Sequence, residues 1–508
     1  MPSVLTLSHI SYAYPGTPSS ALKNVSASFP TGWTGVIGPN GCGKTTLARI
    51  ACGELEPDAG SVMPACAGVY CPQDPSVEPS TLFDFACDYA PEASRLRRSL
   101  GIEDDMLWRF SELSFGEQKK IQVAVSLWMR PDVLAIDEPT NHVDALCRKE
   151  ICRAMLEYAG IGILVSHDRM LLDAVAKQVL SFEESRIVIR PGGYSQAREQ
   201  EERERIEAVH RQETARAQVH KLEAEQRRRR ERADKSSGMR SKRNLDKHDS
   251  DGRARIGLAI VSGQDGKAGK LASRMDARVE SARADADAAW VDKRYEGDLW
   301  LDATPSKRDV VLELEECTIP CGPSRTLHVP GLYVGSTDHI GISGPNGAGK
   351  STLIRRLLQE SKHAGNLWCQ QVNGIQTLYL GQEIDAKGSQ RFLGRIDKLS
   401  DEEKGLVLKG MSRLGSDPKR VLAMDVASPG ELRKLAIVHG MLMSPQLIVL
   451  DEPTNHLDVQ STEALERALS DFPGALVLVS HDEMFLEQCT SKRWVVECTS
   501  EGSEVRCR

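Results

Sequence analysis

The sequence predicts an α/β protein in which one domain occurs twice, the copies joined by a long α-helical hairpin. Three observations carry that expectation. The first is internal repetition. "GPNGCGKTT" begins at Gly38 and "GPNGAGKST" at Gly344; "LAIDEPTNHVD" ends at Asp144 and "IVLDEPTNHLD" at Asp458; "LVSHD" ends at Asp168 and again at Asp482. The offset is 314 residues at Ser114 and Ser428, at Asp137 and Asp451 and at His167 and His481, and 306 at Lys44 and Lys350. The second is patterning: short apolar runs alternate with helical spacing in each copy, which implies a mostly parallel sheet with ligands at its carboxyl ends. The third is composition: residues 196–235 are dense in Glu, Arg, Gln and Ala and contain neither Gly nor Pro, which favours a long helix. The expected division is 1–195 and 308–508 for the two copies and 196–307 for the linker.

Composition narrows the classes open to such a chain. Its 508 residues are 40% hydrophobic and 27% charged, with a net charge of −7, which suits a soluble protein with large cores. Apolar runs fall short of the roughly 18–20 residues needed to cross a bilayer. The opening "MPSVLTLSHISYAYPG" lacks a basic start and an apolar core, so it reads as a strand and not a signal peptide. The 13 cysteines are scattered without a C-x-x-C pair, as expected of reduced thiols in the cytoplasm.

Each copy then carries the same chemistry in the same order. A strand ("TGVIG", "HIGISG") feeds a G-x-x-x-x-G-K-[ST] loop, and "TTLARIACG" or "STLIRRLLQ" continues as a helix. The glycines let successive backbone N–H groups face phosphate oxygens, and the helix N-terminus adds its positive dipole end. The expected nucleotide ligands are Gly38, Pro39, Asn40, Gly41, Cys42, Gly43, Lys44, Thr45 and Thr46, with Gly344, Pro345, Asn346, Gly347, Ala348, Gly349, Lys350, Ser351 and Thr352 in the second copy. Lys44 and Lys350 would reach the β- and γ-phosphates, and Thr45 and Ser351 would offer hydroxyls to Mg²⁺. Asp137 and Asp451 end apolar strands, where a carboxylate can hold Mg²⁺ through water. Glu138 and Glu452 follow, placed to orient or deprotonate an attacking water. Gln73 and Gln382 each follow a short apolar strand and could touch metal and water, while His167 and His481 could hydrogen-bond a γ-phosphate and hold the glutamate.

The phosphate loop, the glutamine, the "SxGE" stretches at Ser114 and Ser428, "DEPTN" and "SHD", in fixed order, resemble the ATP-binding cassette ATPases. "TNHxD" in both copies, without a membrane domain, resembles the ABC-F proteins in particular, which act on ribosomes. The resemblance covers both cassettes and implies the P-loop NTPase fold, each cassette with a small helical subdomain. It further implies an intramolecular head-to-tail cassette pair in a monomer, with two ATP molecules at the interface. One site would pair Lys44 with Ser428, Gly430 and Glu431; the other would pair Lys350 with Ser114, Gly116 and Glu117. Tyr14 resembles the aromatic that stacks on adenine, with Tyr12 as the alternative, whereas "CTIPCGP" in the second copy has no aromatic. The signatures read "LSFGE" and "ASPGE" instead of "LSGGE". Spacings of 41 residues from Gln73 to Ser114 and 46 from Gln382 to Ser428 leave no room for a coiled coil, as in cohesin-like cassettes, or for an arm in the first cassette. The clustered cysteines of the iron–sulfur recycling relatives are missing.

The linker completes the reading. Ala208, Ala215 and Leu222 recur every seven residues with Val219 alongside, and Met275, Val279, Ala282, Ala286 and Ala289 every three or four. That pattern predicts a thin-seamed antiparallel hairpin turning within 236–266, where "SSGM", "DSDG" and "GQDGKAG" interrupt it. Residues 227–247 contain ten Lys or Arg against three acids, a basic tip suited to a polyanion. Residues 196–289 lack Trp, Phe and Tyr, so contact with phosphates and shape is expected instead of base stacking. The family resemblance implies that this tip enters the tRNA exit site of the 70S ribosome and points toward peptidyl-tRNA and the peptidyl-transferase centre. The long linker and missing arm resemble the antibiotic-resistance members; a housekeeping translation factor is the alternative, and a transporter ATPase a third reading.

Overall fold

The structure is a computed structural model that describes the chain apart from residues 1, 18–19, 142, 184–185, 239–263, 289–303, 322–324, 359–366, 373, 383–391, 397, 417–428, 500–501 and 508. In the first copy a six-stranded sheet has the order Gly68–Cys71, Val133–Asp137, Ile161–Val165, Gly32–Ile37, Ala176–Glu183, Arg186–Pro191. The first five strands run parallel and the last turns back antiparallel. Val133–Asp137 and Ile161–Val165 are buried at every position, as a parallel sheet covered on both faces requires. Leu22–Pro30, Val4–Tyr12 and Ala59–Met63 form a separate antiparallel sheet. Leu5 and Leu7 face its core, and left-handed His9 shifts the register so that Ile10 does too, the effect of a β-bulge.

The second copy is joined differently. Nine strands form one sheet in the order Cys317–Pro320, Thr326–Val329, Ser503–Cys507, Lys492–Cys498, His339–Ser343, Ala475–Val479, Leu447–Asp451, Ile375–Leu380, Leu367–Val372. The parallel centre matches that of the first copy. In both copies the helix after the phosphate loop (Lys44–Ala51, Lys350–Leu357) packs its apolar face into the core. The helix that opens at the "SxGE" stretch (Phe115–Trp128, Pro429–Leu442) supplies the second core cluster. Pro429 starts its helix, where a fixed φ and a missing N–H are harmless, so the departure from "LSGGE" leaves the helix intact.

Four aspartates show how the repeated motifs shape the backbone. Asp144 and Asp458 accept from the amides of Cys147 (2.9 Å) and Ser461 (2.8 Å). Asp168 and Asp482 accept from Leu171 (3.1 Å) and Phe485 (3.0 Å). Each caps the N-terminus of the next helix, satisfying an amide the helix itself leaves unpaired.

The chain forms two compact units, Met1–Ala197 with Tyr295–Arg508, and Arg198–Arg294. The second consists of helical hairpin segments. Leu222, Met275, Val279 and Ala282 bury one another, with Val219 packed alongside. Arg283 reaches Glu223 at 2.5 Å and Arg230 reaches Asp276 at 3.1 Å; the partner number falls as the first rises, so the helices are antiparallel. Two details correct the expectation. The first helix, Tyr194–Gly238, continues through the "SSG" expected to break it, and the second, Gln264–Ala288, begins inside "GQDGKAG". A glycine costs a helix only about 1 kcal/mol relative to alanine, too little to end one on its own. The expected turn, and with it Arg240, Lys242, Arg243 and Lys247, lies outside the described residues, as does Ala289.

Candidate functional site

The two phosphate loops have the same backbone. Gly38, Gly41 and Gly43 have φ of 152°, 76° and 102°; Gly344, Gly347 and Gly349 have 147°, 73° and 104°. Gly43 illustrates the need for glycine: it is left-handed, and a Cβ would meet Leu22 at 2.6 Å and the Ala21 carbonyl at 2.8 Å. Lys44 Nζ donates to the carbonyls of Gly38 and Pro39 at 2.8 and 3.0 Å, and Lys350 to those of Gly344 and Pro345 at 2.8 and 2.9 Å. Both ammonium groups are therefore held across the mouth of their loops.

The metal-ligand candidates converge. Thr45 Oγ1 donates to Asp137 Oδ2 at 2.7 Å, and Ser351 bonds Asp451. This hard oxygen set suits Mg²⁺. Sequence reasoning missed one member: Tyr70 OH also donates to Asp137 Oδ2, at 2.9 Å. Tyr379 stands near Asp451 in the second copy. The signal was available, since a tyrosine precedes each glutamine by three residues. Gln73 and Gln382 lie at the strand ends, exposed, and both line the central cavity.

Glu138 and Glu452 adopt left-handed φ of 44° and 50°, uncommon for a side chain with a Cβ and a mark of functional positions. Their amides donate to Val165 and Val479 at 2.8 Å, pinning the strained turn to the neighbouring strand. Each carboxylate accepts from the amide of the following histidine, His167 or His481, at 3.3 Å. Oε1 of each is buried without a hydrogen bond, a polar atom available to a reactant. Burial, aided by the adjacent Asp137, pushes the Glu138 carboxyl up to about 8, and burial raises Glu452 likewise. His167 Nε2 lies 3.4 Å from Glu138 Oε1 and His481 Nε2 3.6 Å from Glu452 Oε1. Burial holds His167 neutral. His481 differs by also contacting Asn346 Oδ1 at 2.8 Å and Lys350 Nζ at 3.3 Å.

The cassettes meet across this chemistry. Asn40 Nδ2, in the first phosphate loop, donates to the His456 carbonyl of the second cassette at 2.8 Å. Gly430 sits against the same carbonyl so closely that any Cβ would collide with it. The first loop thus faces the second signature helix. Asn346 and Gly347 line one continuous cavity with Ser114, Phe115, Gly116 and Glu117. Ser114 caps its helix in a reciprocal box with Glu117: its amide and hydroxyl donate to Glu117 Oε2 at 2.9 and 2.7 Å. Glu431 instead pairs with Lys434 at 3.3 Å, and Ser428 lies outside the described residues. Tyr14 lines the cavity, its OH 3.1 Å from Thr46 Oγ1 and its ring edge-on to Tyr12 at 5.1 Å. Arg169, unforeseen in the sequence, bridges the cassettes through Glu466 (2.8 Å) and Asp482 (3.4 Å).

Comparison with known proteins places this geometry. The family model described as ABC transporter matches residues 22–141 and 327–455. The chain is 28% identical over 504 residues to the ribosome protection protein VmlR of Bacillus subtilis (strain 168), covering 98% of this chain and 87% of the relative. It is 27% identical over 539 residues to the energy-dependent translational throttle protein EttA of Escherichia coli (strain K12), covering 92% and 87%. The fold is like that of the archaeal ribosome recycling factor aABCE1 in its crystal structure with the stalk protein aP1, at a TM-score of 0.61 and 18% identity over 98% of this chain and 89% of that one. Among the described residues no helix is long and apolar enough to cross a membrane. Two cassettes with matched phosphate loops and Asp–Glu strand ends, facing each other within one polypeptide, identify the chain as a tandem ATP-binding cassette ATPase of the ABC-F family.

Proposed function

We propose that this ATPase binds the 70S ribosome near the tRNA exit site in its ATP-bound form, acts through its linker on peptidyl-tRNA and the peptidyl-transferase centre, and leaves on hydrolysis. In this reading, residues 1–195 and 308–508 are the cassettes and 196–307 the linker, whose basic tip seats against rRNA and tRNA phosphates. The work done is protection of the ribosome from an antibiotic. The observation that carries it is end-to-end similarity to a ribosome protection protein, linker included. EttA, similar over nearly as much of the chain, supports the second reading, a translation factor that relieves ordinary stalling.

The mechanism follows from the residues. Lys44 and Lys350 would hold the β- and γ-phosphates, and Thr45, Asp137 and Gln73, with Ser351, Asp451 and Gln382, would hold Mg²⁺. That ion, when bound, would supply charge neutralisation on the phosphates. Glu138 and Glu452 take the proton from water through Oε1, which accepts no hydrogen bond, and His167 and His481, whose Nε2 atoms lie beside it, steady them. Gly430 and Glu431 with Ser428, and Ser114, Gly116 and Glu117, close on the opposite cassette's nucleotide, so ATP binding and cassette closure are one event.

The test is the double variant Glu138→Gln with Glu452→Gln. Removing both bases should lower turnover by about two to four decades, retain ATP binding and leave the protein accumulated on ribosomes in sucrose gradients. Turnover at the unmutated rate would refute the assignment. Expression of the unmutated chain in a susceptible host then separates the readings, since only the protection reading raises antibiotic tolerance.

A further inference from the structure

Lys119 and Arg433 occupy the same position of the two signature helices, five residues after Ser114 and Ser428. Both side chains are buried, at 2% and 3% exposure. A buried cation is costly unless its donors are met, and here backbone carbonyls meet them. Lys119 Nζ donates to the carbonyls of Pro72 and Asp137 (3.2 Å) and lies 3.4 Å from Gln122 Oε1. Arg433 donates through Nη2 to the carbonyl of Gln382 and through Nη1 to that of Glu452. The correspondence is shifted by one residue at both contacts. The lysine holds the residue before the glutamine and the aspartate; the longer guanidinium holds the glutamine itself and the glutamate. In the first copy the clasp is extended, because Gln122 Nε2, one turn along the helix, donates to the carbonyls of Asp74, Pro75 and Val77 at 2.9, 3.2 and 2.8 Å.

From this geometry we infer that Lys119 and Arg433 are positioning residues that couple the two ATP sites. The inference rests on the site pairing proposed above. The helix Phe115–Trp128 begins at Ser114 and Gly116, which close on the nucleotide at Lys350. Lys119, little more than one turn further on, grips the glutamine loop and the Asp137–Glu138 turn, which serve the nucleotide at Lys44. A helix is stiff over so short a span, so seating its N-terminus at one site sets the carbonyls that aim the base and the metal-binding loop at the other. Arg433 makes the reciprocal connection.

The experiment isolates the Lys44 site, site one, by placing all variants in a Glu452→Gln background and following ATP turnover. Lys119→Met should lower kcat about ten- to hundredfold, the scale of a misplaced reacting group, with KM changed by less than about threefold. Lys119→Arg should stay within about threefold of the parent, because the second copy itself uses arginine. Gly116→Asp, where a side chain has room, should impair site one in the parent but add little once Lys119 is methionine. The inference is overturned if Lys119→Met keeps the parent kcat, if Lys119→Arg loses as much as Lys119→Met, or if the effects of Gly116→Asp and Lys119→Met multiply. The ATPase reading beneath it fails separately, when Glu138→Gln leaves turnover intact.

Discussion

At the scale of single residues, Glu138 and Glu452, the proposed bases, are held where burial disfavours their charge. The Glu138 carboxyl ionises at about 8 in the folded chain against an ordinary value of 4.5. Its ionisation therefore opposes folding: the penalty is nil below about pH 4.5, grows as pH rises, and is complete above about pH 8. Glu138→Gln should raise the Tm of the nucleotide-free, EDTA-treated chain at pH 8–9, by about 2–4 °C per kcal/mol recovered. The gain should vanish toward pH 4.5, and scanning calorimetry at both ends of the range checks the sign. Tyr14 makes a second prediction. It lines the cavity beside Thr46, and the second copy has no aromatic in the matching segment. Tyr14→Ala should weaken ATP binding at one of the two sites by about three- to tenfold, equivalent to the roughly 0.5–1.5 kcal/mol that an aromatic stack contributes. A nucleotide titration that shifts both sites equally would contradict it.

Among elements, the hairpin depends on a short seam. Its described part is Leu222, Met275, Val279, Ala282 and Val219, flanked by exposed ion pairs that contribute about 0–1 kcal/mol each. Arg229 and Arg230 already engage Glu225 and Asp276, which leaves Arg227 and Arg228, both exposed, better placed for phosphates. Replacing Arg227, Arg228, Lys242 and Arg243 by Gln should weaken ribosome binding and flatten its salt dependence. The log–log slope should fall by about 0.7–0.9 for each phosphate that is no longer neutralised. ATP hydrolysis by the free protein should hold. Co-sedimentation at graded salt decides, and an unchanged slope would reduce the stretch to a spacer.

For the whole molecule, the cassette pair is joined by a buried cation. Arg169, 7% exposed, spans Glu466 and Asp482, and Tyr194 OH donates to Glu463 at 2.5 Å from the same cassette. Breaking a buried pair from one side leaves an uncompensated charge, so Arg169→Met should cost about 3–5 kcal/mol. Adding Glu466→Met should return part of it, because two apolar side chains fill the space without a stranded carboxylate. Denaturant midpoints of the single and double variants measure both.

Much of this molecule was legible in its sequence because its decisive features are local. Glycine spacing specifies the left-handed turns of Gly43 and Gly349, apolar runs specify the buried strands ending at Asp137 and Asp451, and helical spacing picked out Leu222, Met275 and Val279, which the fold packs together. Repetition made each motif visible twice. The tertiary structure decided which side chains meet partners far from them along the chain, at separations from tens to hundreds of residues. Asn40 reaches the His456 carbonyl over a separation of 416 positions, Arg169 reaches Glu466 over 297, and Lys119 closes on the carbonyls of Pro72 and Asp137. A lysine or arginine on a helix reads as a solvated charge, since no periodicity distinguishes an exposed cation from one enclosed by the packing of a sheet, a loop and a second cassette. Those meetings depend on how the apolar faces come together, and their partners are backbone carbonyls, which every residue carries and no sequence pattern marks.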